Sequence, residues 1–398
     1  MPAKAARSIA NATLLDHIRA AARGMAVSGI VEAMKYGFGR EGLIPLWAGE
    51  GDLPTPDFIC EAATRSLKAG ETFYTWQRGI PDLRMALARY HARHYGVAAD
   101  PERFYVTASG MHAITLAFAL VLDAGDEMIV PTPCWPNAGA AADAAAAKPV
   151  FVPMNFGAQG FSPDLDRIAD AIGPRTRAIF LNSPGNPTGW VASREDLGAV
   201  LALARKHGLW IVADEVYGRF YWRDGPRAPS FHDVTSPDDR ILFVNTFSKN
   251  WAMTGWRIGW IEADPSLGQV IENLIQASTS GVAVFMQRAA VVALERGEGF
   301  VAHQVARARR GRDIVARLAE TGRVRLQPPD GAFYQLLAVD GESDSRALCF
   351  RLIDEANIGM APGTAFGPGA ERHLRLCFAR SADSLNEAAD RLTEWLKR

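Results

Sequence analysis

Three short apolar runs in the middle of this chain each end in polar residues able to do chemistry. Ala178–Leu181 leads into Asn182-Ser183-Pro184-Gly185-Asn186-Pro187-Thr188-Gly189, and Leu209–Ala213 leads into Asp214, Glu215, Val216 and Tyr217. Ile241–Val244 leads into Asn245, Thr246, Phe247, Ser248 and Lys249, with Arg257 a short way on. The three ends offer amides, a carboxylate with a phenol, and a hydroxyl with two cations. One carboxylate, one lysine and several neutral hydrogen-bonding groups suit a polar aromatic cofactor with an anionic tail. A free lysine, with a pKa of about 10.4, is a poor nucleophile at neutral pH.

Such residues need a scaffold that ends its strands side by side. From about residue 100, short β-branched or aromatic runs alternate with amphipathic stretches such as Arg194–His207. That alternation predicts βαβ units and a mostly parallel, doubly wound sheet, an α/β fold. In such sheets ligands bind beyond the carboxyl ends of the strands, where these residues fall. Met111–Leu122 reads as a helix, Met128–Val130 as a strand ended by Pro131, and the alanine-rich Ala138–Ala147 as one helix. In the last third, helices at Phe285–Leu294 and Val301–Leu318 precede strands at Val324–Leu326 and Ala332–Leu337. A helix at Ser345–Ala356, a strand at Leu374–Phe378 and a terminal helix complete a smaller α+β domain. The expected division is an N-terminal arm with part of the small domain (1–45), a large cofactor-binding domain (46–285) and the C-terminal small domain (286–398). The first 45 or so residues either pack on the small domain or reach a neighbouring subunit.

The segments SPGNPTG, DEVY, the Ser248-Lys249 pair and MTGWRIG, in that order, resemble the class I/II aminotransferases, the fold-type-I pyridoxal-phosphate enzymes. The resemblance runs from about Ser28 to the C-terminus. It implies pyridoxal 5'-phosphate as cofactor and a ping-pong exchange of an amino group between an L-amino acid and a 2-oxo acid. Lys249 resembles the Schiff-base lysine, which also moves a proton between the substrate's Cα and the cofactor. Asp214 matches the carboxylate that keeps the pyridine nitrogen protonated, and Tyr217 and Asn186 match the groups on the ring's phenolic oxygen. Ser109, Gly110 and Met111 match the helix start that cradles the phosphate, helped by Thr246 and Arg257, and Trp135 matches the aromatic stacked on the ring. Arg375 resembles the arginine that grips the α-carboxylate in a planar, bidentate contact, with Asn186 beside it and Gly49 as a backbone donor. Tyr74 matches a tyrosine reaching the phosphate of the other subunit, which implies a homodimer with a shared active site; Ser280 aligns loosely with a second crossing residue. Gly51 stands where the family usually has proline, which loosens the turn. Some acidic-substrate relatives carry lysine at the position of Met111. Methionine supplies no charge there, and with Trp47 nearby this favours neutral or aromatic donors over aspartate.

Composition narrows the alternatives. The 398 residues include 43 basic and 44 acidic ones, for a net charge of −1, and 48% are hydrophobic. That balance speaks against nucleic-acid or membrane-surface partners and against disorder. Cys60, Cys134, Cys349 and Cys377 form no C-x-x-C pair and read as thiols in a reducing compartment, the cytoplasm. The most apolar stretch, Ala113–Leu122, is about half of the ~20 residues a membrane span needs. Arg307-Ala308-Arg309-Arg310-Gly311-Arg312 reads as a solvated helix face. His91 and His94, three apart, lack a carboxylate pattern, so no metal is expected. Gly37-Phe38-Gly39 lacks the remaining glycine of a dinucleotide loop. A carbon–sulfur lyase or cyclopropane-forming synthase on the same scaffold stays open, since both need the same lysine, aspartate and arginine. A regulator carrying an aminotransferase-like domain needs a DNA-binding module that the short segment ahead of the matched region does not offer.

Overall fold

Alternating side chains account for the central sheet. In the computed structural model, which describes residues 14–157 and 160–397, seven strands share it. They are β1 (Phe104–Thr107), β2 (Glu127–Thr132), β3 (Lys148–Pro153), β4 (Thr176–Asn182), β5 (Trp210–Asp214), β6 (Ile241–Thr246) and β7 (Gly259–Glu262). Across the sheet the order is β1-β7-β6-β5-β4-β2-β3. β7 runs antiparallel to both of its neighbours, and every other adjacent pair is parallel. Met128, Val130, Ala178, Phe180, Val212, Leu242 and Val244 face one side and bury against the helix Gly110–Val121. The intervening Ile129, Ile179, Leu181, Ile211, Ala213 and Phe243 face the other and bury against Arg194–His207. A sheet covered on both faces is read as continuous apolar runs, which is how these strands looked in sequence. The helix Arg194–His207 starts on a reciprocal cap in which Ser193 Oγ accepts from Asp196 N–H and Asp196 accepts from Ser193 N–H.

A second sheet holds β8 (Val324–Leu326), β9 (Tyr334–Val339), β10 (Ala361–Pro362) and β11 (His373–Cys377), antiparallel in the order β8-β9-β11-β10. Helices Ser345–Ala356 and Ala382–Trp395 cover it. The helix Gly29–Gly37 and the short strand Ile44–Pro45, parallel to Ile358–Gly359, join this unit. Residues 1–13 of the expected arm lie outside the described residues. The long helix Glu298–Ala316 ties the two units together, burying Val301 in the larger core and Ala308 and Val315 in the smaller.

Two expected boundaries move. β2 continues through Pro131 to Thr132, because pairing with β4 stops at Ile129 while pairing with β3 runs on to Thr132↔Pro153. A proline beyond the last rung on one side interrupts no ladder there. β9 starts at Tyr334 and not Ala332, whose φ of 57° takes the chain out of the extended region. All four cysteines are unpaired, three of them buried. Among the described residues, no helix is long and apolar enough to cross a membrane.

Candidate active site

The registers Asn182↔Asp214 and Asp214↔Val244 bring the ends of β4, β5 and β6 to one edge. Asn182 ties that edge together. Its Nδ2 donates to Asp214 O at 3.1 Å, and its Oδ1 accepts from Asn186 N–H at 2.8 Å. So held, Asn186 turns its own Oδ1 to Arg375, whose Nη1 donates to it at 2.9 Å. Arg375 comes from β11 in the other sheet and is 2% exposed. Its Nη2 donates to Trp47 O, its buried Nε has no partner, and it forms no ion pair among the described residues. The guanidinium carbon lies 4.7 Å from the Tyr334 ring centre and 4.9 Å from that of Phe366.

Lys249 follows β6, and its Nζ donates to Gly49 O at 2.7 Å. The amine is 5.6 Å from the Tyr217 ring centre. Burial lowers its pKa to about 8, while the fields of Cys377, Glu50 and Asp214 resist and that of Arg375 assists. Asp214, 3% exposed, is its counterpart. Burial raises its pKa to about 7 against the opposing pull of the Val216 N–H and Lys249. The one hydrogen bond to its carboxylate among the described residues is that Val216 N–H, at 3.4 Å. Tyr217 Oη lies 2.7 Å from Tyr334 Oη, and burial raises its pKa above the usual phenol value. Lys249, Asp214, Tyr217, Asn186, Arg375 and Gly49 therefore converge on one place.

The remaining expected residues are less closely joined. Ser109 caps the helix Gly110–Val121, accepting from His112 N–H at 2.9 Å. Gly110 sits against Thr246, where a Cβ would come 3.2 Å from Thr246 Cβ. A Cβ on Gly259 would lie 2.8 Å from Gly110 N, so only glycine lets β7 pass this close to the helix start. Thr246 Oγ1 sits in a local net, 2.9 Å from Ser248 Oγ and 3.1 Å from Ile258 O, with its single proton given to one of them. Met111 and Trp135 are partly buried against the large core. Arg257 is exposed, its Nη1 donating to Thr254 O at 2.5 Å. Tyr74 is 94% exposed beside Phe73 (83%) and Trp76 (68%). Ser280 is only partly buried, its Oγ donating to Gln276 O at 3.3 Å.

The family model for aminotransferase class I and II matches residues 41–392 of this chain. The chain belongs to that family. It is a transaminase of fold type I. An aspartate aminotransferase of Thermotoga maritima is 36% identical over 357 residues, which cover 89% of this chain and 92% of the relative. An arginine–pyruvate transaminase of Pseudomonas aeruginosa is 35% identical over 354 residues, covering 88% and 89%. The crystal structure of the Thermotoga maritima aspartate aminotransferase superposes with a TM-score of 0.89 at 33% identity, covering 96% of this chain and all (100%) of that one.

In this aminotransferase several site neighbours escaped the sequence reading. Tyr334 and Phe366 look like any core aromatic in an apolar run, and only their place beside Arg375 distinguishes them. Asn182 stood at a strand end, which was a usable signal. Arg307, expected on a solvated face, instead forms a bidentate pair with Asp52, which also accepts from Ser381 N–H and so fixes the Gly49 loop. His91 joins not His94 but His232 and Glu262, with the three ligating atoms 2.8, 3.0 and 3.3 Å apart. Trp260 Nε1 donates to His91 Nε2 at 3.2 Å, which leaves the ring proton on Nδ1, facing the carboxylate. A metal on Nδ1 would instead put the proton on Nε2, against the indole N–H. The cluster is better suited to a proton than to an ion. Arg103 Nε, 3.1 Å from Glu262 Oε1, balances the buried charge.

Proposed function

We propose that this transaminase uses pyridoxal 5'-phosphate and exchanges an amino group between an L-amino acid and a 2-oxo acid in a ping-pong sequence. One observation carries the reading: a lysine amine lies among two buried charges of opposite sign, Asp214 and Arg375, neither of which has an ion-pair partner among the described residues. A buried carboxylate with its pKa near 7 fits a cation such as a protonated ring nitrogen. A buried guanidinium with a free Nε fits an anion such as an α-carboxylate. When bound, the cofactor supplies an electron sink conjugated to the substrate's Cα.

The chain's own residues do the rest. Asp214 would hold the ring nitrogen, and Tyr217 with Asn186 the ring oxygen. Ser109, Gly110, Met111, Thr246 and Arg257 would hold the phosphate, with Trp135 on the ring face. Arg375 and the Gly49 N–H, which makes no hydrogen bond among the described residues, orient the substrate carboxylate. Lys249 Nζ takes the proton from the substrate's Cα and returns it. With its pKa near 8, about a tenth of that amine is neutral at pH 7, enough for a base that must also donate.

Neutral or aromatic donors are the proposed substrate class, because Met111 offers no charge to a distal carboxylate. The decisive experiment supplies one amino acid at a time to the loaded enzyme without a 2-oxo acid. One equivalent of 2-oxo acid per site is expected, then a stop, fastest with neutral or aromatic donors. Continued product release would mean a lyase, and fast conversion of aspartate alone would overturn the substrate class.

The exposed Tyr74, Phe73 and Trp76 support a homodimer in which Tyr74 reaches its partner's phosphate, since an apolar cluster so exposed suits a protein contact. Light scattering at working concentration should give twice the mass of one chain, and a fully active monomer would refute it. The unpaired cysteines support a cytoplasmic setting. We propose the division 1–45, 46–285 and 286–398 with Val284–Arg296 moved to the large domain, which is supported by its burying Gln287, Ala289, Ala290, Ala293 and Leu294 among the helices Asp57–Lys68 and Pro81–Tyr95.

A further inference from the structure

Three groups of the site meet at Tyr334, a residue with no assigned role. Its hydroxyl lies 2.7 Å from Tyr217 Oη, its ring centre 4.7 Å from the Arg375 guanidinium carbon, and a Cβ on Gly49 would come 2.7 Å from its oxygen. The side chain is fully buried, and the Tyr217 ring stands edge-on to it at 87°. Resting on the cofactor reading above, we propose that Tyr334 is a positioning residue that donates its proton to Tyr217 Oη, freeing the Tyr217 proton for the cofactor's ring oxygen, and that its ring seats Arg375 for the substrate carboxylate.

The argument is one of proton supply. A phenol carries one proton. Among the described residues Tyr334 Oη has no hydrogen-bond partner other than Tyr217, so its proton has one protein acceptor. Tyr217 is then left with a proton to give and with an oxygen polarised by the bond it accepts, which makes it a stronger donor. A hydrogen bond to the ring oxygen favours the deprotonated form of the bound cofactor, so Tyr334 holds its protonation midpoint down at one remove. The ring acts on a different group. Stacked beneath Arg375, it sets the guanidinium plane in which Nη1 reaches Asn186 and Nη2 reaches Trp47 O while Nε stays free. The Gly49 fit belongs to the same seat, since any side chain there would push the Tyr334 hydroxyl off Tyr217.

Hydroxyl and ring can be separated. In the loaded Tyr334→Phe enzyme the pH midpoint of the cofactor's visible absorbance should rise by roughly half a unit to one unit. Binding of 3-phenylpropionate, a carboxylate without an amine, should change by less than about twofold. Tyr334→Leu should show the same midpoint shift and bind 3-phenylpropionate about tenfold more weakly. In a Tyr217→Phe background, adding Tyr334→Phe should leave the midpoint where Tyr217→Phe alone puts it. An unmoved midpoint in Tyr334→Phe, or the same shift with and without the Tyr217 hydroxyl, overturns the proposal while leaving the cofactor reading intact. Should Tyr334→Leu fail to fold, Tyr334→Phe and the double variant decide the hydroxyl role, and Tyr334→Met, which keeps an apolar side chain without a ring, replaces it in the 3-phenylpropionate measurement: binding as tight as in Tyr334→Phe overturns the seat. A wild-type protein with no cofactor absorbance, or one whose absorbance survives Lys249→Ala unchanged, overturns both readings together.

Discussion

Replacing Lys249 by alanine should lower turnover by about 10⁴-fold or more, because on the proposed reading it removes both the covalent anchor and the proton carrier from one place. Among the described residues no other lysine makes a hydrogen bond to the Gly49 loop. Nζ is held on Gly49 O at 2.7 Å, between the two strand systems, and burial keeps its pKa near 8. Arg257 is the nearest cation in sequence, but it is exposed and tied to Thr254 O. Lys249→Arg is the informative companion. It keeps a positive charge but never supplies a neutral base, so it should be as inactive as the alanine variant if proton transfer is the task and partly active if charge alone matters. The alanine variant also leaves space, so added methylamine should restore a small fraction of activity. Wild-type rates for formation of the 2-oxo acid in Lys249→Ala, followed in single turnovers, would end this assignment.

Asp214→Asn should lower turnover by about 10³-fold, the scale of losing a preorganised electrostatic partner in a dry site. The side chain keeps its size and loses only its charge, so a large effect reports electrostatics and not packing. A second measurement needs no cofactor. In the cofactor-free chain Asp214 and Glu215 both have pKa values raised to about 7, each chiefly by burial. The folded chain then holds protons that the unfolded chain releases between about pH 4 and 7. Stability from these groups is complete below the unfolded value and is lost as pH rises toward 7. Lys249 has the opposite sign: its lowered pKa favours the folded chain more as pH rises from about 8 toward the unfolded value. His94 and His232, their pKa values lowered to about 4 chiefly by burial, act in the opposite sense to the two acids between about pH 4 and 6.5. The effect is therefore read as a difference: the melting temperature of Asp214→Asn relative to the unsubstituted protein should rise between pH 5 and about 7, because the variant lacks one of the two acids. Identical slopes in the two proteins would show that burial does not raise the Asp214 pKa into this range.

The residues that were legible in sequence share a physical reason. Asn182, Asp214 and Thr246 end apolar strands, and a parallel sheet must deliver such ends to one edge, so pattern and topology together predicted their meeting. The helix Arg194–His207 was equally plain, because its start and stop are local: a reciprocal cap at Ser193 and a glycine at 208. Tyr334 was not legible. A tyrosine in an apolar strand is indistinguishable from core until Tyr217, 117 positions away, is placed against its hydroxyl. Arg307 was misread for a related reason. Its helix face looked solvated, and its anion, Asp52, is 255 positions distant.

Local chemistry and short periodicity therefore specified the α/β class, the strand ends and the family motifs, since each depends on neighbours a few residues apart. The tertiary structure decided what those groups experience. It buried Asp214 and Arg375 with no ion-pair partner among the described residues, drew the pKa of Lys249 down, and closed the site with the Gly49 loop and a strand from the second unit. Charge, burial and proton affinity arise from contacts distant in sequence, and a buried charge takes its meaning from what is, and is not, packed beside it. On the dimer proposed above, Tyr74 marks the same limit one level higher, since its contact would lie on a second chain.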